Sequence, residues 1–135
     1  MNFDLRIRFD DRFSTYLDEL RDTGFFMDLA SIALFCAALG FKNKNKVVAR
    51  GNRDVRYGVL LGTVGASQLV DSIFLLEHSE DIHDVLREET VPSRVKLFEQ
   101  YCNGGLEGIS NLRKSGRPMT VIIPDLINQE WGQNA

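Results

Sequence analysis

Cysteine is scarce. Cys36 and Cys102 are the only two among 135 residues, too few for the disulfide framework that holds small secreted domains together. Both fall among apolar neighbours in segments of helical periodicity, which fits buried free thiols and a reducing, cytoplasmic setting. Thiols placed this way do not suit a cysteine nucleophile, which needs an exposed, low-pKa position beside a base. Long apolar runs are also missing. The most apolar stretch, Leu29 to Leu39, falls well short of the roughly 20 residues needed to span a bilayer. The opening Met1-Asn2-Phe3-Asp4 lacks the basic-then-apolar character of a secretory leader, so no membrane association is expected. Gly-Lys-Ser/Thr phosphate loops, Gly-x-Ser-x-Gly nucleophile turns, internal repeats and low-complexity tracts do not occur. Nothing in these patterns implies a cofactor.

Histidine is equally sparse. His78 and His83 lie beside Asp81 and Asp84, with Glu77 and Glu80 alongside, which is the one cluster with metal-ligating character. Their spacing of five separates the two imidazoles by about 140° around a helix, so one continuous helix cannot aim both at one ion. An acidic, solvated turn is the simpler reading. A small metal-dependent nuclease or hydrolase using His78, Asp81, His83 and Asp84 stands as a rival hypothesis, which metal analysis of the purified protein would test.

Cationic excess is absent overall: the net charge is -3 and the pI about 5.4. A uniformly basic nucleic-acid coat is thereby excluded, but a local basic patch is not. Hydrophobic residues make up 44% and charged residues 26%, the balance of a chain that folds around a single core.

The fold class expected is mainly α, a compact multi-helix single domain. Phe13, Tyr16, Leu17 and Leu20 recur at helical spacing between a cap at Asp10 or Asp11 and a stop at Gly24. A second helix is expected from Asp28 to Leu39, ended by Gly40 and apolar on nearly every side, hence buried on every side. Further helical stripes carry Val55, Tyr57, Val59 and Leu60; Leu69, Val70, Ile73, Phe74 and Leu76; and a short one Ile82, Val85 and Leu86. Another, carrying Val95, Phe98, Tyr101 and Cys102, starts near Pro92 and stops at Gly104-Gly105, with a final short helix over Leu106, Ile109 and Leu112. Glycines 58, 62 and 65 suggest close helix approach. Ahead of the helices, Phe3, Leu5, Ile7 and Phe9 alternate with Asp4, Arg6 and Arg8, the period of a half-buried strand. Its partner is expected to be either the β-branched Val121-Ile122-Ile123 run or the same segment of a second subunit. The alternative is an extended arm lying on the helices. A tail follows from about residue 117, with the only tryptophan, Trp131, docked against the body.

The sharpest change of composition falls at 42–56. Lys42, Lys44, Lys46, Arg50, Arg53 and Arg56 face one acid, Asp54, in a stretch loosened by Gly51 and asparagines. It reads as a mobile basic loop able to attract DNA or RNA phosphates without sequence preference. Only Tyr57 stands near it as a stacking platform, which disfavours single strands. The opposite bias appears at 77–89, where Glu77, Glu80, Asp81, Asp84, Glu88 and Glu89 oppose Arg87 alone. Opposed patches suit pairing between copies or with a charged partner protein, and both are equally compatible with ordinary solvated faces.

Two segments carry a family likeness: Ile32-Ala33-Leu34-Phe35-Cys36-Ala37-Ala38-Leu39-Gly40-Phe41-Lys42-Asn43 and Leu97-Phe98-Glu99-Gln100-Tyr101-Cys102-Asn103-Gly104-Gly105-Leu106-Glu107. In these, and in the order of its elements up to Leu112, the chain resembles small accessory proteins associated with bacterial DNA phosphorothioation (Dnd) systems. The resemblance implies a setting in DNA modification or phage defence and carries no catalytic residues. The expected function is a non-catalytic accessory subunit that binds proteins of a DNA modification or restriction assembly, with DNA phosphates met by the basic loop. A self-associating, homo-oligomeric structural subunit is the second rival.

Overall fold

A computed structural model describes residues 5–78 and 86–129. Among them are six helices and a two-stranded antiparallel sheet: β1 (Arg6–Phe9), α1 (Ser14–Asp22), α2 (Leu29–Lys42), β2 (Arg53–Arg56), α3 (Tyr57–Leu60), α4 (Ala66–Glu77), α5 (Val91–Lys114) and α6 (Met119–Ile127). The mainly helical single domain expected from the periodicities is what the chain forms.

The local signals act where the side chains can reach them. Asp10 accepts from the Arg12 N–H at 2.9 Å and opens a 3-10 turn, Asp11–Phe13, that feeds α1. Gly24, at φ 75°, ends the segment in the left-handed region. Asp28 caps α2 through the Ser31 N–H at 2.9 Å. Helix α2 buries Ala30, Ile32, Ala33, Cys36, Ala37, Leu39 and Gly40, but not every side of it: Ser31, Leu34, Phe35 and Ala38, at helical spacing, form a half-buried stripe.

Several expected boundaries move. Helix α2 does not stop at Gly40 but runs to Lys42, and Gly104-Gly105 lie inside α5, which continues unbroken to Lys114 through Leu106, Ile109 and Leu112. These glycines are there because two backbones meet. A Cβ on Gly40 would lie 1.9 Å from the Tyr101 carbonyl oxygen, one on Gly105 2.0 Å from that of Cys36, and one on Gly104 1.7 Å from that of Asn45. Helices α2 and α5 cross with no room for a side chain, and the intact helical hydrogen bonding of α5 outweighs the low helix propensity of its glycines. Glycines 58 and 65, expected to mark close approach, have nothing within 4 Å of a built Cβ, and Gly62 meets only the Val59 carbonyl at 3.3 Å. Gly65, at φ 84°, is instead the left-handed N-cap of α4.

The strand is real, but its partner is neither the C-terminal run nor a second subunit. β1 pairs antiparallel with β2 in the register Arg6↔Arg56, Ile7↔Val55, Arg8↔Asp54, Phe9↔Arg53. Val121-Ile122-Ile123 lies in α6, begun by Pro118 and burying Ile122 and Ile123. Its β-branched residues are helical because core burial overrides their local preference. Val55, expected on a helix, is a strand residue facing the core opposite Ile7. Ile82, Val85, Trp131 and the ligands Asp81, His83 and Asp84 lie outside the described residues.

Candidate partner and nucleic-acid interface

The segment between α2 and β2, expected to be a mobile loop, is stapled to the body. Asn45 Nδ2 donates to the Gly104 carbonyl and to Glu107 Oε1, both at 3.0 Å, and the Val47 N–H donates to the Gln100 carbonyl at 3.0 Å. Arg50 gives its N–H to Asp10 Oδ2 and takes the Asp11 N–H on its carbonyl, again both at 3.0 Å. These tethers use backbone groups and an asparagine, which composition alone does not reveal. The consequence is a basic segment held against α5 and Asp10 at Asn45, Val47 and Arg50.

The core side of β1 is equally determined. Helix α5 presents Glu99 and Asn103 to the strand edge that β2 leaves uncovered. Glu99 Oε2 accepts from the Arg8 N–H, Asn103 Oδ1 accepts from the Asp10 N–H, and Asn103 Nδ2 donates to the Arg8 carbonyl, each at 2.8 Å. Asn103 is fully buried, so its amide substitutes for the third strand that the edge lacks. Among the described residues no buried side-chain polar atom is without a hydrogen-bond partner. The buried polar groups Asp10, Glu99, Asn103 and Arg94 are thus engaged in holding strand, loop and helices together.

Asp10 is the node of this network. Burial alone would raise its carboxyl, but the Arg12 side chain and the backbone N–H groups of Arg12 and Arg50 outweigh burial and hold it below the ordinary value of 3.8. A folded-state pKa below the unfolded one contributes stability that is present above the unfolded carboxylate value and is lost as pH falls through the folded one. Urea midpoints measured from neutral to acid pH should therefore fall for the native chain and fall less steeply for Asp10→Asn. Parallel pH profiles would show that Asp10 does not contribute to acid sensitivity.

The six cations expected to form the site are not equivalent. Arg53 pairs with Asp18 at 2.8 Å, and Lys46 lies 3.8 Å from Glu77 and 5.8 Å from the Tyr101 ring centroid. The Lys46–Glu77 pair joins the basic segment to the start of the acidic one within a single chain. Tyr101 donates its hydroxyl to Glu77, and burial together with that carboxylate pushes its pKa up to about 12. Lys42 ends α2, exposed. Lys44, Arg50 and Arg56 are exposed and have no acidic side-chain partner among the described residues. Lys44 takes a left-handed conformation, φ 52°, at the turn after α2.

Two further cations join the surface that the loop composition did not include. The β1–β2 register sets Arg6 opposite Arg56 and Arg8 beside them on the solvent face of the ribbon. Arg6 reaches diagonally to Asp54 at 3.0 Å, while Arg8 has no acidic partner among the described residues. The strict alternation around Ile7 already placed Arg6 and Arg8 on a solvent face; what was missing was the neighbour.

Of the four candidate metal ligands, only His78 lies among the described residues. His78 follows the end of α4, its ring 4.3 Å from that of Phe74. No group of three or more potential metal ligands gathers among the described residues. Cys36 and Cys102 are buried and free, as expected, and burial pushes both thiols well above the ordinary value. No helix among the described residues is long and apolar enough to cross a membrane.

Fold and surface together define a small helical protein whose backbone-to-backbone helix crossing carries an arginine-bearing ribbon and a tethered basic loop. Within that class the chain belongs to the family of DNA sulphur modification system-associated protein 4, whose model it matches over residues 6–134. No curated protein and no solved structure gives a significant match. The two segments that carried the likeness in the sequence are the two helices that cross at Gly40 and Gly105.

Proposed function

We propose that this Dnd-associated protein is a non-catalytic accessory subunit of a DNA modification and phage-defence assembly, docking on partner proteins and meeting DNA phosphates through its basic surface. The observation that carries this reading is that Lys44, Arg50 and Arg56 of the 42–56 segment, and Arg8 of β1, are exposed with no acidic side-chain partner among the described residues. A surface held in shape by backbone hydrogen bonds attracts phosphates without having to order a loop first. Lys42, Lys46 and Arg53 add to its field, the last two already sharing their charge with Glu77 and Asp18.

Binding of a fluorescein-labelled duplex oligonucleotide, followed by anisotropy over a range of salt, tests this. The triple reversal Lys44→Glu, Arg50→Glu, Arg56→Glu is expected to weaken binding by about tenfold or more and to flatten the log–log salt slope by about 2 to 3. Reversal of Arg53 and Lys46 is expected to do less to binding and more to stability. An unchanged affinity and slope in the triple variant, with native circular dichroism, would reject the role of this face.

A further inference from the structure

The sheet has one covered edge and one edge that is open among the described residues. The Tyr57 N–H donates to the Leu5 carbonyl at 2.8 Å, and with Ile7 opposite Val55 the alternation of an antiparallel ladder turns residues 53, 55 and 57 toward β1. The N–H groups of Asp54 and Arg56 and the Asp54 carbonyl therefore point away from it. On the far side of β1 the corresponding groups are capped by Glu99 and Asn103. On the far side of β2 no hydrogen bond from the described residues reaches the N–H groups of Asp54 and Arg56 or the Asp54 carbonyl. Such an edge is a template for another strand.

This edge borders a groove of about 640 Å³ between the ribbon and the α1–α2 connection, with Phe26, Met27 and Val59 among its apolar lining and Arg21 and Arg56 at its sides. Met27 is 96% and Val59 60% exposed, so apolar side chains are available for contact at the groove. Its two acids are already engaged, Asp28 as the cap of α2 and Asp54 with Arg6. Arg21 and Arg56 have no acidic partner among the described residues. The groove thus offers main-chain donors, apolar contact and unneutralised guanidinium groups, which suit carboxylates bidentately. A nucleic-acid strand has no alternating N–H and carbonyl groups to continue the ladder of this edge, whereas an extended peptide has.

We propose that this groove receives an extended segment of a partner protein, added as a third strand on the outer edge of β2. Its apolar side chains rest on Phe26, Met27 and Val59, and its intervening carboxylates meet Arg21 and Arg56. Main-chain pairing supplies affinity and the alternating side chains supply selectivity. The proposal rests on the reading of the chain as a subunit that docks on other proteins, and it names the chemistry of that partner.

The test is a titration of the full chain with the peptide acetyl-Leu-Glu-Val-Glu-Leu-Gly-amide, followed in amide N–H correlation spectra. Shifts centred on residues 54–56 and on Met27 and Val59 are expected. Binding should weaken by about tenfold in Met27→Ser/Val59→Ser and in Arg21→Glu, the effect of losing one anchor of an interface. It should weaken similarly for a peptide with glutamine in place of glutamate, and for one N-methylated at alternate amides. The serine double variant should bind the duplex oligonucleotide as the native chain does, and Lys44→Glu/Arg50→Glu should weaken duplex binding while keeping the peptide, so each reading can fail separately. Shifts elsewhere, equal binding by the glutamine or N-methylated peptide, or unaltered affinity in the variants would overturn the proposal. Concentration-dependent shifts at the same amides without peptide would assign the groove to a second copy of the chain. Loss of the duplex in the serine double variant would assign it to nucleic acid. Either result would overturn the proposal as well.

Discussion

Gly105→Ala is expected to destabilise the protein by about 3 kcal/mol or more, while Gly108→Ala, three residues further along the same helix, is expected to stabilise it by up to about 1 kcal/mol. The added methyl is identical and the helix is identical; only the surroundings differ. At position 105 the new carbon would lie 2.0 Å from the Cys36 carbonyl oxygen and 3.0 Å from the Cys36 Cα, both backbone atoms of α2 that no rotamer change can move. Relief requires α2 and α5 to separate, which removes contact from Ala33, Cys36, Ala37, Cys102 and Leu106 in the centre of the core. At position 108 nothing lies within 4 Å, so alanine only reduces the freedom of the unfolded chain. Urea unfolding of both variants checks this. Equal and favourable shifts in the two midpoints would mean that helix propensity, not backbone contact, governs the crossing. Gly40→Ala should follow Gly105→Ala, because its clash at 1.9 Å is again with backbone, the Tyr101 carbonyl.

The second large effect is expected at Asn103. Asn103→Leu keeps the approximate volume but removes a buried amide that accepts from the Asp10 N–H and donates to the Arg8 and Glu99 carbonyls. The Asp10 N–H and the Arg8 carbonyl are then left in the interior without these partners, at about 1 to 3 kcal/mol for each buried group. A loss of about 3 kcal/mol follows. Hydrogen exchange gives a site-specific reading: the Asp10 amide should lose protection far more than amides within α4, whose bonds do not involve this residue. Uniform loss across the molecule, or none, would show that the Asn103 amide does not hold the strand. Because β1 carries Arg6 and Arg8, the same variant should also weaken duplex binding, although neither arginine is changed.

The contrast between these two sites shows what could be read in the chain before it was folded. Both motifs of the family likeness were visible as sequence, and Gly40 and Gly104-Gly105 stood out in them. Read locally, a glycine after an apolar helix is a stop signal, and only the crossing of α2 on α5 turns it into a contact point. The basic segment was legible in composition, yet its order was not. Its tethers run from Asn45, Val47 and Arg50 to residues that lie between 39 and 62 positions away in sequence or are backbone atoms of α5. Of the four candidate metal ligands only His78 is among the described residues, its ring tilted against that of Phe74.

Periodicity and charge fixed what one residue can say about its neighbours. They determined the helical class, the alternating strand, the caps at Asp10 and Asp28, the burial of both cysteines, and the cationic segment as the most polar departure in the chain. These depend on contacts within a turn or two of helix, or on the side-chain alternation of a single strand. Tertiary structure decided the rest: that β1 pairs with the end of the basic segment, that α5 runs through its glycines, that Arg8 lies on the ribbon with Arg6 and Arg56, and that β2 keeps an edge open among the described residues beside a groove. Each of these is a meeting of residues far apart in sequence, and the free energy that selects it is burial and backbone hydrogen bonding across the whole core.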